Sequence, residues 1–156
     1  MKLRYLTLLV FCLISTFVPA DIQSQTQENL DSLERSLKDM PDDSIKVQHY
    51  GQLFYRFEFV DSVKAKKYIS LALKLSKELN YQNGLAQTYM QFGFFYDDIG
   101  KYDKALAHYE KSLTIRIELQ DQRGIAIMNN NIGIIYKEQG RYPEALERYH
   151  KALVIA

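Results

Sequence analysis

The chain repeats itself at a period of forty residues. Residues 84–115 and 124–155 align without a gap and carry the same glycines, tyrosines and alanines at matched positions, beginning with Gly84 and Gly124. Self-similarity at a fixed period of about 20 to 50 residues is the sequence mark of a protein built from stacked repeats. A chain of this kind buries its core between neighbouring units, so its function is sought on a surface that several units share.

Each copy is predicted to form a helix, a turn and a second helix. In the later copy Gly140 ends the first helix, and Pro143 lies in the first turn of the next, where its missing N–H costs little. Small residues let the helix axes approach closely, and tyrosines fill the space beside them. The repeated positions predicted to form the core are Gly93, Tyr96, Ala105 and Tyr109 in the earlier copy and Gly133, Tyr136, Ala145 and Tyr149 in the later copy.

The motif in each copy resembles the tetratricopeptide pattern, which is Leu-Gly-x-x-Tyr followed by Ala-x-x-x-Phe. The later copy has Ile132-Gly133-Ile134-Ile135-Tyr136 and Ala145-Leu146-Glu147-Arg148-Tyr149, and the earlier copy has Phe92-Gly93-Phe94-Phe95-Tyr96 and Ala105-Leu106-Ala107-His108-Tyr109. The resemblance implies an all-α fold, a right-handed superhelical solenoid of antiparallel helix pairs, with about three repeats after an N-terminal helix.

Two features depart from the family pattern. Tyr89 and Asn129 stand where the family has an early tryptophan, and the proline that usually ends the unit is missing. Without that proline the second helix is expected to continue through Glu118 and Leu119, which lengthens the unit beyond the common length of about 34 residues. Such units resemble the long-repeat variety found in some bacterial signalling proteins and cargo-binding light chains.

Residues 1–20 have the composition of a secretory signal peptide. Lys2 and Arg4 precede an apolar run at 5–17, and small residues follow at 18–20. A membrane anchor is the alternative, but the run is shorter than the ~20 residues that span a bilayer. Lipid attachment at Cys12 is disfavoured because this cysteine lies in the middle of the apolar run. Cleavage would leave a chain without cysteine that is exported to a periplasmic or extracytoplasmic location, or is attached to the membrane if it belongs to a longer sensor.

The segment between the signal peptide and the two clear repeats is predicted in three parts. Residues 21–27 are a polar, flexible leader, and residues 30–40 form a short helix that covers the open end of the first repeat, because terminal units of such arrays are atypical. A degenerate first repeat follows, with Asp61 as the cap of its second helix. The predicted domains are the signal peptide at 1–20, leader and capping helix at 21–43, and repeats at 44–82, 83–122 and 123–156.

The third repeat stops at Ala156, which corresponds to Arg116 of the second repeat, so its second helix is truncated. A solenoid needs a polar capping element at its end for solubility. Two explanations stay open: the chain continues in a longer protein, or the uncapped helix takes part in self-association.

The residues offer little support for an enzyme. Six of the seven glycines occupy repeat positions, so no glycine-rich loop is left to hold phosphates, and His49, His108 and His150 have no metal-ligand spacing. The formal net charge is +1, without the basic stripe that nucleic acid attracts. We therefore expect no catalytic residues, no cofactor, no metal and no nucleic-acid partner.

The resemblance to tetratricopeptide proteins implies a concave groove, lined by the first helix of each unit, that holds a partner's peptide. Carboxamides that can pair with a peptide backbone occupy one repeated position, followed by an apolar strip and a largely acidic edge. These groove residues are Gln52, Gln91 and Asn131, then Tyr55, Phe94 and Ile134, then Glu58, Asp97 and Lys137 with Asp98 and Glu138 beside them. Uncommitted polar surface is the alternative interpretation of the three carboxamides.

The function implied by the resemblance is a non-enzymatic protein-interaction module that binds a peptide on its concave face. One alternative is the sensory N-terminal part of a tetratricopeptide-containing histidine kinase or transcriptional regulator, and another is a structural spacer without a ligand. If the carboxamides serve only as a clamp, replacing Gln91 and Asn131 together by alanine should weaken binding and leave thermal melting nearly unchanged.

Overall fold

A computed structural model describes residues 20–155, with side chains described from Leu30 onward. It divides into two compact units, one extending to Met40 and the other beginning at Pro41. Each unit is considered by itself below. Except for Ala20, the predicted signal peptide lies outside the described residues.

The first unit contains one helix, α1, at Ala20–Asp39. Residues 21–27 belong to this helix, so the prediction of a flexible leader is wrong. The segment contains three glutamines, which favour helix, and no glycine or proline interrupts the chain before Pro41. The predicted capping role of this helix stays a prediction. Within residues 20–155, no helix combines the length and the apolar character needed to cross a membrane.

The second unit is a stack of three helix pairs, and no strand occurs in residues 20–155. From α3 onward the helices begin twenty residues apart, so each forty-residue repeat consists of two equal halves. The three pairs are α2 at Ser44–Phe57 with α3 at Ser62–Glu78, α4 at Gln82–Asp98 with α5 at Tyr102–Glu118, and α6 at Gln122–Glu138 with α7 at Tyr142–Ile155. The all-α fold of stacked helix pairs predicted from the sequence is confirmed.

Four turns of the stack share one backbone geometry. A residue with positive φ follows each of the helices α3 to α6, at Asn80, Gly100, Gln120 and Gly140. The N–H of the next residue donates to a carbonyl five residues back, as Tyr81 does to Ser76 at 2.9 Å. This hydrogen bond satisfies a carbonyl that the end of the helix leaves without a partner. The turn between α2 and α3 is instead stabilised at the start of α3. The Asp61 side chain accepts hydrogen bonds from the N–H groups of Val63 and Lys64, as the sequence predicted.

The core pairs a glycine on each later first helix with a tyrosine on the following helix. A Cβ atom at Gly93 would collide with the Tyr109 ring, and one at Gly133 would lie 2.7 Å from the Tyr149 ring. The absence of side chains at these glycines therefore lets the helices of each pair approach closely. Ala105, Tyr109 and Ala145 are buried as predicted, whereas Tyr96, Tyr136 and Tyr149 are half-buried.

Candidate peptide-binding surface

The first helices of the first two pairs, α2 and α4, lie side by side and enclose an open pocket of ≈ 420 Å³. Helix α2 contributes side chains one and two turns apart, and helix α4 does the same from the other side. The walls are unusually rich in carboxamides, which come from Gln48 and Gln52 on α2 and from Asn83, Gln87 and Gln91 on α4. Each carboxamide offers donors and an acceptor, so the pocket favours a polar, uncharged group.

Gln91 is part of the packing between the two helices. Its side chain is only 1% exposed, and its Nε2 donates a hydrogen bond to the carbonyl oxygen of Gly51 on α2, 3.1 Å away. A Cβ atom at position 51 would lie 3.0 Å from that nitrogen. The glycine therefore makes room for the bond. One of the two N–H donors of the Gln91 amide is already used inside the protein, which limits the predicted role of this side chain as a clamp for a ligand.

Tyr55 stands over Gln91 at the wall of the pocket. Its hydroxyl lies 3.4 Å from Nε2 of Gln87, which donates to it. Burial raises the pKa of Tyr55 above the usual value, while hydrogen bonding to Gln91 and Gln87 acts in the opposite direction. The phenol thus stays neutral and presents an aromatic face with a hydroxyl to the pocket.

Arg116, at the end of α5, supplies the cation that lines this pocket. Its Nη2 donates to Oε1 of Gln87 at 3.3 Å, and its Nη1 pairs with Asp121. Asp121 also accepts a hydrogen bond from the N–H of Gly124 at 2.9 Å, and this bond, together with Arg116, lowers the pKa of Asp121. Arg116 therefore joins the pocket wall to the start of α6.

The sequence did not predict Arg116 as a pocket residue, because only first helices were expected to line the groove. The sequence did contain one indication, because Arg116 lies forty residues after Ser76 and so occupies the same repeat position. Ser76 also lies against a glycine at the start of the next first helix. A Cβ atom at Gly84 would be 2.7 Å from the Ser76 hydroxyl, and one at Gly124 would meet the Arg116 side chain. The last turn of each second helix thus reaches the beginning of the next first helix.

The predicted groove residues do not form one uniform strip. Gln52, Tyr55 and Gln91 meet in the pocket. Asn131 is half-buried, and its Nδ2 has no hydrogen-bond partner among the described residues. Phe94 packs edge-on against the Tyr109 ring, with centroids 5.7 Å apart. The remaining predicted positions are half-buried Ile134 and Asp97 and exposed Lys137, whose Nζ lies 3.7 Å from Glu138.

An acidic edge borders the same surface at the end of α2. Burial raises the pKa of Glu58 to about 7, and the neighbouring carboxylate of Asp98, which hydrogen-bonds to it, adds to the effect. Two carboxyl groups that share a proton carry less negative charge than two separate ones. Within the described residues, no group of three or more acidic, histidine or cysteine side chains is arranged to hold a metal ion.

Two segments match family models described as tetratricopeptide repeat, residues 86–116 and residues 130–156. The chain contains tetratricopeptide repeats. The matched segments lie on α4–α5 and α6–α7, the two pairs whose sequences resemble each other most. Tetratricopeptide repeats imply a protein-interaction scaffold, and proteins built from them are generally non-enzymatic.

Solved structures share this tetratricopeptide fold. BtubC (BKLC) from P. vanneervenii is 26% identical with a TM-score of 0.69, over 83% of this chain and 56% of that chain. MamA MSR-1 C2 is 22% identical with a TM-score of 0.58, over 85% of this chain and 68% of that chain. The chain thus spans little more than half the length of BtubC, and the likeness to MamA is one of fold. No curated protein matches the chain.

Proposed function

We propose that the second unit binds an extended peptide segment of a partner protein across α2, α4 and α6, and that the pocket between α2 and α4 receives one side chain of that segment. The pocket supports this proposal because carboxamides from two helices face the same space. An extended peptide presents alternating N–H and C=O groups, and carboxamides can pair with both.

The charges around the pocket favour a peptide of particular chemistry. The guanidinium of Arg116 is already paired with Asp121, so it is poorly suited to a carboxylate ligand. The acidic edge of Glu58, Asp97 and Asp98 favours a basic residue beside the pocket. The preferred segment is therefore a neutral polar residue, such as asparagine, glutamine or serine, followed or preceded within a few positions by lysine or arginine.

A peptide-display library offered to the full chain would test this proposal. We expect selected peptides to share a neutral polar residue near a basic one, and we expect Gln52→Ala with Gln87→Ala to weaken their binding by roughly tenfold or more, as the loss of two hydrogen-bonding side chains implies. Gln122→Ala removes an exposed carboxamide outside the pocket and serves as the control. Selected peptides that bind both variants equally would contradict the proposed surface.

Export is a separate proposal that depends on residues 1–20. Their basic start, apolar run and small residues support a cleaved signal peptide. A fusion of the whole chain to a reporter active only outside the cytoplasm should give signal, and replacing Leu8 and Leu9 by aspartate should abolish it. Retention of the signal in that variant would contradict export through this segment.

A further inference from the structure

The turn between α2 and α3 presents three large apolar side chains to solvent. Phe59 is 74% exposed, Val60 is 80% exposed and Val63, in the first turn of α3, is 79% exposed. The corresponding turns of the other two pairs carry Ile99-Gly100-Lys101 and Gln139-Gly140-Arg141, so neither has two neighbouring large apolar residues at its tip.

The fold does not need these three side chains. The turn is closed by backbone bonds from the N–H groups of Val60 and Asp61 to the carbonyl of Phe57, at 3.0 and 2.8 Å, and by the side chain of Asp61 at the start of α3. Any residue with an ordinary backbone could make those bonds. An exposed cluster of this kind, without a structural role, marks an interaction site.

Basic residues flank the apolar tip in the sequence. Arg56, Lys66 and Lys67 are exposed. Lysine ammonium groups lie over aromatic rings nearby, Lys64 at 4.7 Å from the Phe57 centroid and Lys67 at 5.3 Å from the Tyr68 centroid. The two acids of this segment, Glu58 and Asp61, are both half-buried, and the Asp61 carboxylate caps α3. Exposed Asp98 hydrogen-bonds to Glu58, so the positive charge beside the tip comes from the exposed lysines of α3, Lys66 and Lys67.

A shallow groove of ≈ 490 Å³ runs beside the tip along α3. Its lining combines ammonium groups, hydroxyls and apolar surface, from Ser62, Val63, Lys66, Lys67, Ser70 and Phe95. Within the described residues neither Lys66 nor Lys67 forms an ion pair. Ammonium groups are donors to phosphate oxygens, whereas the Ser70 hydroxyl already donates to the carbonyl oxygen of Lys66 at 2.8 Å.

We propose that this tip and groove bind the surface of a membrane that contains anionic lipids. Phe59, Val60 and Val63 enter the boundary between headgroups and acyl chains, and Lys66 and Lys67 contact the headgroup phosphates. An apolar tip flanked by cations suits a lipid surface, because such surfaces attract basic residues and accept shallow apolar insertion. A protein partner would need a concave acidic site around the protruding tip. This surface lines no part of the pocket between α2 and α4.

The absence of tryptophan from the chain provides a direct probe. In the full chain, Phe59→Trp introduces a single reporter at the tip, and Val154→Trp places one at a side chain of similar exposure, 71%, on α7. With vesicles of phosphatidylcholine and phosphatidylglycerol, we expect a blue shift of the emission at position 59 and quenching by brominated acyl chains, but neither effect at position 154. Vesicles of phosphatidylcholine alone should produce little change, and added salt should reverse the effect.

Charge variants test the groove, with the Phe59→Trp signal as the readout. Lys66→Glu with Lys67→Glu should raise the dissociation constant for the anionic vesicles by roughly tenfold or more, since each lysine near an anionic surface contributes substantially. Lys74→Glu with Lys77→Glu makes the same change of charge at the far end of α3. This control should change the dissociation constant for the vesicles by less than about twofold.

Three results would overturn the proposal. The first is no response at position 59, and the second is an equal response at position 154, which would mean that the vesicles bind through another part of the chain. The third is a shift of the tryptophan emission at position 59 with poly-glutamate but not with anionic vesicles. That result would indicate that the tip binds an acidic protein. Circular dichroism of each variant confirms that the helices are intact, so that a loss of binding is not a loss of fold.

Discussion

The side-chain nitrogen of Gln91 donates a hydrogen bond to the carbonyl oxygen of Gly51, 3.1 Å away and forty residues earlier in the chain. The bond links two successive first helices, α2 and α4. It lies in the wall of the candidate pocket, so the residue expected to bind a ligand also holds the pocket together. Variants at this position will change stability as well as binding.

The first prediction concerns Gln91→Ala. Because Gln91 is buried, its removal leaves the Gly51 carbonyl without its donor and opens a cavity, so we expect a loss of about 2 kcal/mol in the free energy of unfolding. Chemical denaturation monitored by circular dichroism measures this loss. The expectation from sequence that melting would stay nearly unchanged is therefore replaced. Gln52→Ala, at an exposed side chain on the same pocket, is the control and should change stability by less than about 0.5 kcal/mol.

The sequence predicted the period and the helix pairs well, because both depend on the spacing of small and apolar residues. It did not predict that the three carboxamides would differ. Gln91 reaches a glycine, whereas the Asn131 side chain is one methylene shorter, and Met90 stands at the position that corresponds to Gly51. Whether a carboxamide faces a ligand or a neighbouring backbone depends on the partner residue and on side-chain length, which a repeat alignment does not reveal.

The second prediction concerns the close contact between Gly133 and Tyr149. Gly133→Ala places a methyl group against the tyrosine ring, and we expect a loss of about 1 to 3 kcal/mol in unfolding free energy. In the first pair, the corresponding positions are the buried residues Phe54 and Ile69. There the larger side chain is on the first helix and the smaller one is on the second helix. Tyr149→Ile should therefore cost less in the Gly133→Ala background than in the native chain. A double-mutant cycle that shows simple additivity would contradict this packing argument.

The third prediction uses the positive φ angles of the turns. Gln120 has a φ of 55°, a conformation that costs side-chain-bearing residues about 1 kcal/mol or more and glycine very little. Gln120→Gly should raise the melting temperature by a few degrees, since about 1 kcal/mol shifts a domain of this size by roughly 3 to 5 °C. Gly100→Ala, at a φ of 70° with no neighbouring atom to collide with, should lower it by a similar amount. Equal melting temperatures in all three proteins would show that backbone strain does not matter here.

The fourth prediction follows from the raised pKa of Glu58. The folded state holds the proton up to a pH of about 7, whereas an unfolded glutamate releases it near pH 4.3. Between these values the folded protein binds more protons than the unfolded chain, so the stability contribution of this group falls as the pH rises through that window. Because Glu58 is partly exposed, we expect about 1 kcal/mol after solvent screening is allowed for.

Glu58→Gln should remove this dependence. The variant should be more stable than the native chain at pH 8 and indistinguishable from it at pH 4, as measured by urea denaturation at both pH values. Asp98→Asn should reduce the same dependence, because the neighbouring carboxylate contributes to the shift. Glu118→Gln, at an exposed position on α5, is the control. A native chain whose stability does not fall between these pH values would argue against the shared proton.

The fifth prediction concerns a pair of positions whose chemistry changes along the stack. In the first two helix pairs, both positions carry an aromatic ring. Tyr50 lies against Tyr68 and Tyr89 lies against His108, with ring centroids 6.2 and 6.0 Å apart. In the third pair Arg148 replaces the ring and donates to Oδ1 of Asn129 at 3.4 Å.

Arg148 also donates to Glu110 on the second helix of the preceding pair, at 2.6 Å. This bond adds a link between neighbouring units at the place where the aromatic contact is lost. Arg148→Ala removes both bonds and should cost about 1 kcal/mol, because the pair is only partly buried. Asn129→Tyr with Arg148→His would recreate the arrangement of the second pair. We expect the double variant to be more stable than the sum of its single changes, since each new ring packs against the other. Additive single effects, measured in the same denaturation experiment, would mean that the two positions do not form a unit.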